Sequence, residues 1–100
     1  MFISSYKYIL DHAIAFFKDD YTEFWVISTR IQDFNPDFSI SETIEATKIV
    51  LIDLVTNYHA TLMDYPNKST IETVEIIKEH LNRFNQIPNI GDGLWMYIEE

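Results

Sequence analysis

Apolar positions along this chain recur mostly at intervals of three and four, the spacing that lines one face of an α-helix. Tyr6, Ile9, Leu10, Ala13, Ile14 and Phe17 predict a first helix over about residues 5 to 18, with Ser4 or Ser5 as its N-cap. Phe24, Ile27, Ile31 and Phe34 mark one face of a second helix, and Asp20 with Glu23 three residues on resembles a capping box that would open it. The run Phe24-Trp25-Val26-Ile27 is also rich in strand formers, so a short strand over 24–28 stays open beside the helix.

The strongest pattern lies in the middle. After the turn Asn35-Pro36-Asp37, with Ser39 or Ser41 as cap, Ile44, Leu51, Leu54, Val55, Tyr58, Leu62 and Met63 share one side. Ile49, Val50 and Ile52 make the centre apolar nearly all round. A helix hydrophobic on every side is a buried one, which predicts a long central helix over 41–63. Ser69 and Glu72 then form a second capping-box pair, followed by Ile71, Val74, Ile77, Leu81 and Phe84 on a fourth helix. Leu94 to Ile98 follows the turn Gly91-Asp92-Gly93 and reads as a short strand. Every proline and glycine falls between these segments, where it costs a helix nothing.

The predicted fold is therefore all-α: a single domain over residues 1–100, like a four-helix bundle with a long central helix and a short C-terminal strand. Were 24–28 extended as well, it would pair with 94–98 in a small two-stranded sheet and the class would become α+β.

Composition agrees with one globular unit, since 47% of the 100 residues are hydrophobic. No cysteine is present, which removes disulfides, thiolate zinc sites and thiol nucleophiles together. The N-terminus has no basic, then uninterrupted apolar, leader pattern. The most apolar run, Ile49 to Val55, carries Asp53 and falls far short of the roughly 20 residues that span a bilayer. Both features lead to the expectation of a cytoplasmic protein without membrane contact.

Charge changes the picture further. Sixteen acids against seven bases leave a net charge of −9, and the bases are scattered, so direct nucleic-acid binding is not expected. Phosphate-cradling loops need several glycines, and the two here are separated only by Asp92. No Gly-x-Ser-x-Gly elbow occurs. His12, His59 and His80 fall on separate helices and none has a glutamate three residues before it, against the Glu-x-x-His spacing of helical metal sites. No catalytic residue, metal ligand or cofactor is expected. Asp53 has two readings: a desolvated proton-transfer group, or a carboxylate on the wet side of the central helix or paired with a base.

What remains is a surface for binding. Seven acids, Asp19, Asp20, Glu23, Asp33, Asp37, Glu42 and Glu45, lie against the single base Arg30. They form either a solvated face or a docking face for a basic partner. Tyr65, Trp95 and Tyr97 lie near polar turns and fit either anchors at an interface or lids over the core.

Tyr65-Pro66, Ser69 and Val74-Glu75-Ile76-Ile77-Lys78-Glu79 are locally similar to the immunity proteins that neutralise nuclease colicins, which are small, acidic, four-helix domains. The resemblance covers residues 65–79. It departs where that family has a second tyrosine, here Asp64; the connection after Pro66 is also shorter and the preceding helix longer. It implies an inhibitor that docks onto a basic protein such as a nuclease or toxin. The alternative is a regulatory or structural module acting as a homodimer that buries Trp95, Tyr97 or Phe24-Trp25 against a copy of itself.

Overall fold

A computed structural model describes residues 1–99. Four helices and three short strands follow one another: α1 (Tyr6–Asp19), β1 (Thr22–Glu23), α2 (Phe24–Phe34), α3 (Ile40–Tyr58), β2 (Thr61–Leu62), α4 (Thr70–Leu81) and β3 (Trp95–Tyr97). The chain is mostly helical and carries a three-stranded antiparallel sheet in the order β1-β3-β2. It is thus neither all-helical nor built on a two-stranded sheet. The C-terminal strand forms, but its partners are residues 22–23 and 61–62, while 24–28 is helical.

Two helices start where the sequence places them. Ser39 Oγ accepts from Glu42 N at 3.1 Å and Glu42 Oε1 accepts from Ser39 N at 2.9 Å. Ser69 and Glu72 repeat the exchange, with both bonds at 3.1 Å. Each box satisfies two backbone N–H groups that a helix start would leave unpaired. Asp20 and Glu23 make no such box: Asp20 is the extended residue that ends α1, and Glu23 is the extended residue before α2. Ser5 precedes α1 in a left-handed conformation and gives no side-chain cap.

The central helix is shorter than its pattern suggests. His59 takes the left-handed conformation with φ 59°, and the Ala60 amide donates to the Leu54 carbonyl at 3.1 Å, which closes the helix. Leu62 is then a strand residue, fully buried beneath the sheet. Nor is α3 buried all round, since Ile49 is exposed.

One contiguous core joins the helices to the sheet. Phe17, Phe24, Ile27, Ile31, Leu51, Leu54, Leu62, Ile77, Leu81 and Met96 are all fully buried in it. At about 2 kcal/mol for each large apolar side chain removed from water, this burial is the main stabilising term. Helix α3 packs on α2 and α4, and α1 leans on α2 and α3. Polar pins complete the packing. Thr47 Oγ1 donates to the Thr43 carbonyl at 2.8 Å, so Ser28 Oγ must donate in its 2.8 Å bond to Thr47, which links α2 to α3. Asn35 accepts from Ser4 N at 2.8 Å and donates to the Ser4 and Ile31 carbonyls at 3.2 and 3.0 Å, tying the N-terminal segment to the end of α2. Among the described residues no helix is long and apolar enough to cross a membrane.

Candidate functional site: an acidic and aromatic face

Strand β3 positions the site. Thr22 stands opposite Met96 and Glu23 opposite Trp95; on the other side Thr61 pairs with Tyr97 and Leu62 with Met96. Side chains alternate across a strand, so Met96 turns into the core with Thr22 and Leu62 while Trp95 and Tyr97 share the outer face with Glu23. The Ile98 amide donates to the Phe17 carbonyl at 2.9 Å, which brings this face against the end of α1. There Asp19 and Asp20 are exposed, Asp20 Oδ1 accepts from the Tyr21 amide at 2.7 Å, and the Tyr21 ring meets Tyr97 edge-on at 5.4 Å.

Two grooves flank Tyr21, and Asp19, Asp20 and Tyr21 line both. One, of about 240 Å³, is completed by Phe16, Trp25, Val26 and Trp95, with Thr22 and Glu23. The other, of about 530 Å³, is wider and takes in Lys18, Tyr97 and Glu99. Sequence residues Asp19, Asp20, Glu23, Trp95 and Tyr97 therefore converge on one face. Phe16, Tyr21 and Val26 were not singled out from the sequence.

Glu23 differs from the other acids of its stretch, for it is 1% exposed and does not belong to a solvated acidic surface. Its Oε2 accepts from the Gly91 amide at 2.9 Å, while Oε1 has no hydrogen-bond partner. Two more contacts hold the 89–93 turn in place. His80 Nε2–H donates to the Asp92 carbonyl at 2.8 Å, and Gly93 lies so close to Phe24 that a Cβ there would come within 2.8 Å of the Phe24 Cβ. Phe24 itself is fully buried and so is not available to a partner.

The remaining sequence-selected residues lie apart. Asp33 and Asp37 are exposed at the far end of α2 and in the turn beyond it. Glu42 serves the α3 capping box, and Glu45 pairs with Lys48 at 2.8 Å. Tyr65 lines a separate hollow with His80, Arg83 and Leu94. Every ion pair among the described residues joins groups three or four positions apart: Lys7–Asp11, Lys48–Glu45, Lys68–Glu72, Lys78–Glu75 and Arg83–Glu79. Asp19 and Asp20 take part in none.

A row of rings extends the aromatic surface. Tyr8, His12 and Phe16 follow at intervals of four along the flank of α1 beside its core residues, with Tyr8 and His12 at 4.1 Å and His12 and Phe16 at 6.3 Å. Phe34 meets Tyr8 edge-on at 5.1 Å, and the Arg30 guanidinium lies 5.7 Å from the centre of the Phe16 ring. The four-residue spacing was the signal that could have revealed this row, hidden behind the stronger core pattern of the same helix.

Asp53, the carboxylate inside the apolar run, is half-buried and accepts from Tyr6 Oη and Asn57 Nδ2, each at 2.6 Å. No base meets it. Burial, and then the bond to Asp53, raise the Tyr6 hydroxyl well above the ordinary tyrosine range. Among the described residues no three His, Asp or Glu side chains are gathered as a metal ion would require.

Comparison with protein-family models, with curated proteins and with solved structures found no match.

Proposed function

We propose that this chain is a non-enzymatic, cytoplasmic binding module that docks onto a basic partner protein through the face built by the end of α1, β1 and β3, and that it acts as an inhibitor of the immunity type. The observation that carries this reading is the meeting of Asp19 and Asp20, carboxylates in no ion pair, with Tyr21, Trp95 and Tyr97 along two adjoining grooves. Aromatic side chains supply binding energy at low entropic cost, and uncompensated carboxylates steer and orient a cationic partner. With the chain at −9 overall, long-range attraction favours the same class of partner.

The test compares proteins retained from a lysate by the native chain and by the Asp19→Lys/Asp20→Lys variant, at low and at high salt. Basic proteins held only by the native chain, and released as salt screens the charges, are the expected result. Retention that ignores both salt and charge reversal removes the reading. The alternative is a homodimer that buries Trp95, Tyr97 or Trp25 against a copy of itself, and the exposed row Tyr8, Phe16 and Phe34 offers a further apolar face for such a contact. Light scattering separates the two, since a dimer that persists in high salt belongs to the alternative.

A further inference from the structure

We propose that the smaller groove is a receptor for an arginine side chain of the partner, with the Glu23 carboxylate as its charged end. The proposal rests on the docking reading and adds the chemistry of the occupant.

Glu23 lines the groove, is buried, and has one oxygen already engaged by the Gly91 amide. The other oxygen lacks any donor. A buried acceptor without a partner is costly, so a structure that keeps one calls for a donor from outside. The walls narrow the choice. Phe16, Trp25 and Trp95 present aromatic surface, and Asp20 stands exposed beside them. A guanidinium is planar, stacks on rings, and carries donors enough for two carboxylates at once, whereas an ammonium is a strongly hydrated point charge. The chain already holds one such pairing, the Arg30 guanidinium over Phe16. Trp95, 41% exposed and directly opposite Glu23 in the ladder, is the wall on which an entering guanidinium would stack.

Three capped Gly/Ser nonapeptides, with arginine, lysine or uncharged citrulline at the centre, test the proposal against the full chain. The readout is the pair of tryptophan indole N–H signals in NMR titrations. The arginine peptide is expected to move both signals saturably, and the citrulline peptide to bind about tenfold more weakly or not at all. Glu23→Gln and, separately, Trp95→Ala should each reduce arginine binding by about fivefold to tenfold. Because Trp95 is exposed, its variant remains informative if Glu23→Gln perturbs the fold.

Equal binding of the arginine and citrulline peptides, or arginine binding untouched by either variant, overturns the proposal. The two readings fail separately. Salt-sensitive retention of basic proteins that persists in Trp95→Ala and Glu23→Gln removes the arginine receptor alone. Arginine-peptide binding by a chain that retains no basic protein removes the docking reading alone.

Discussion

Glu23 and Trp95 face each other across the β1–β3 ladder, the carboxylate 1% exposed and the indole 41% exposed. The more polar of the two side chains is the one withheld from water. Directly opposed residues have Cβ atoms about 5 Å apart, so each shields or exposes the other. Glu23→Gln keeps an oxygen for the Gly91 amide and removes a buried charge that has only one partner. We expect this variant to be as stable as the native chain or more stable by about 1 kcal/mol, as measured by urea unfolding, because desolvating a charge costs more than desolvating an amide. Together with weakened arginine binding, the result would place Glu23 among residues whose retention costs stability.

The turn above Glu23 offers a contrast between two glycines. Gly93 is packed against Phe24, so Gly93→Ala drives its Cβ into backbone and ring atoms and should cost about 2 to 3 kcal/mol. Gly91 has open space around its Cβ position but a φ of +88°, and Gly91→Ala should cost about 1 kcal/mol through strain alone. Thermal unfolding of the two variants ranks them, and a Gly91 variant as damaging as the Gly93 variant would contradict the packing described.

The Ser28–Thr47 pair predicts non-additive energetics. Thr47→Val leaves the buried Ser28 hydroxyl without its acceptor and should cost about 2 kcal/mol. Adding Ser28→Ala removes the orphaned group, so the double variant should be more stable than Thr47→Val alone. A double-mutant cycle in denaturant checks this, and simple additivity would mean that Ser28 finds another partner.

Much of the helical frame could be read from residue order, because each long element carries a repeated signal. The Ser39–Glu42 and Ser69–Glu72 boxes fix two helix starts through local hydrogen bonds that need no tertiary context. Strands β1 and β2 are two residues each, too short to show a period of two, and they exist because β3 lies between them. Leu62 continues the helical spacing of α3 and is buried by the sheet, so its pattern was real and its element was not. His59 closes α3 without glycine or asparagine, the residues that ordinarily announce a left-handed cap. Within the site, Asp19, Asp20, Trp95 and Tyr97 stood out by charge and ring type. Their convergence depends on the Ile98–Phe17 bond and the sheet register, which are long-range. The burial of Glu23 was hidden for the same reason, since the turn that covers it comes from the other end of the chain.

The α4 capping box should titrate in acid. The Ser69 amide and hydroxyl, with Lys68 nearby, hold the Glu72 carboxyl below its ordinary value. A carboxyl lowered in the folded state contributes stability above its unfolded value of about 4.3 and loses it as pH falls through the lower folded value. Unfolding between pH 6 and 2 should therefore show a component that Glu72→Gln lacks. Ser69→Ala should cost about 1 kcal/mol at neutral pH. Identical acid profiles for the native chain and Glu72→Gln would exclude the coupling.

The Tyr6–Asp53 bond predicts the opposite sign at alkaline pH. Burial and the neighbouring carboxylate raise the Tyr6 hydroxyl above its unfolded value of about 10, so the folded chain keeps this proton after the unfolded chain has released it. Above that unfolded value the native state binds more protons, and stability must fall as pH rises. The contribution is complete below about pH 10 and declines beyond it. Tyr6→Phe removes both the bond and the titration: at pH 7 it should destabilise by about 1 kcal/mol, and near pH 11 the gap to the native chain should close. Urea unfolding of both proteins from pH 7 to 11 measures the two curves. A gap that is constant across that range would show that the 2.6 Å contact between Tyr6 and Asp53 carries no proton linkage.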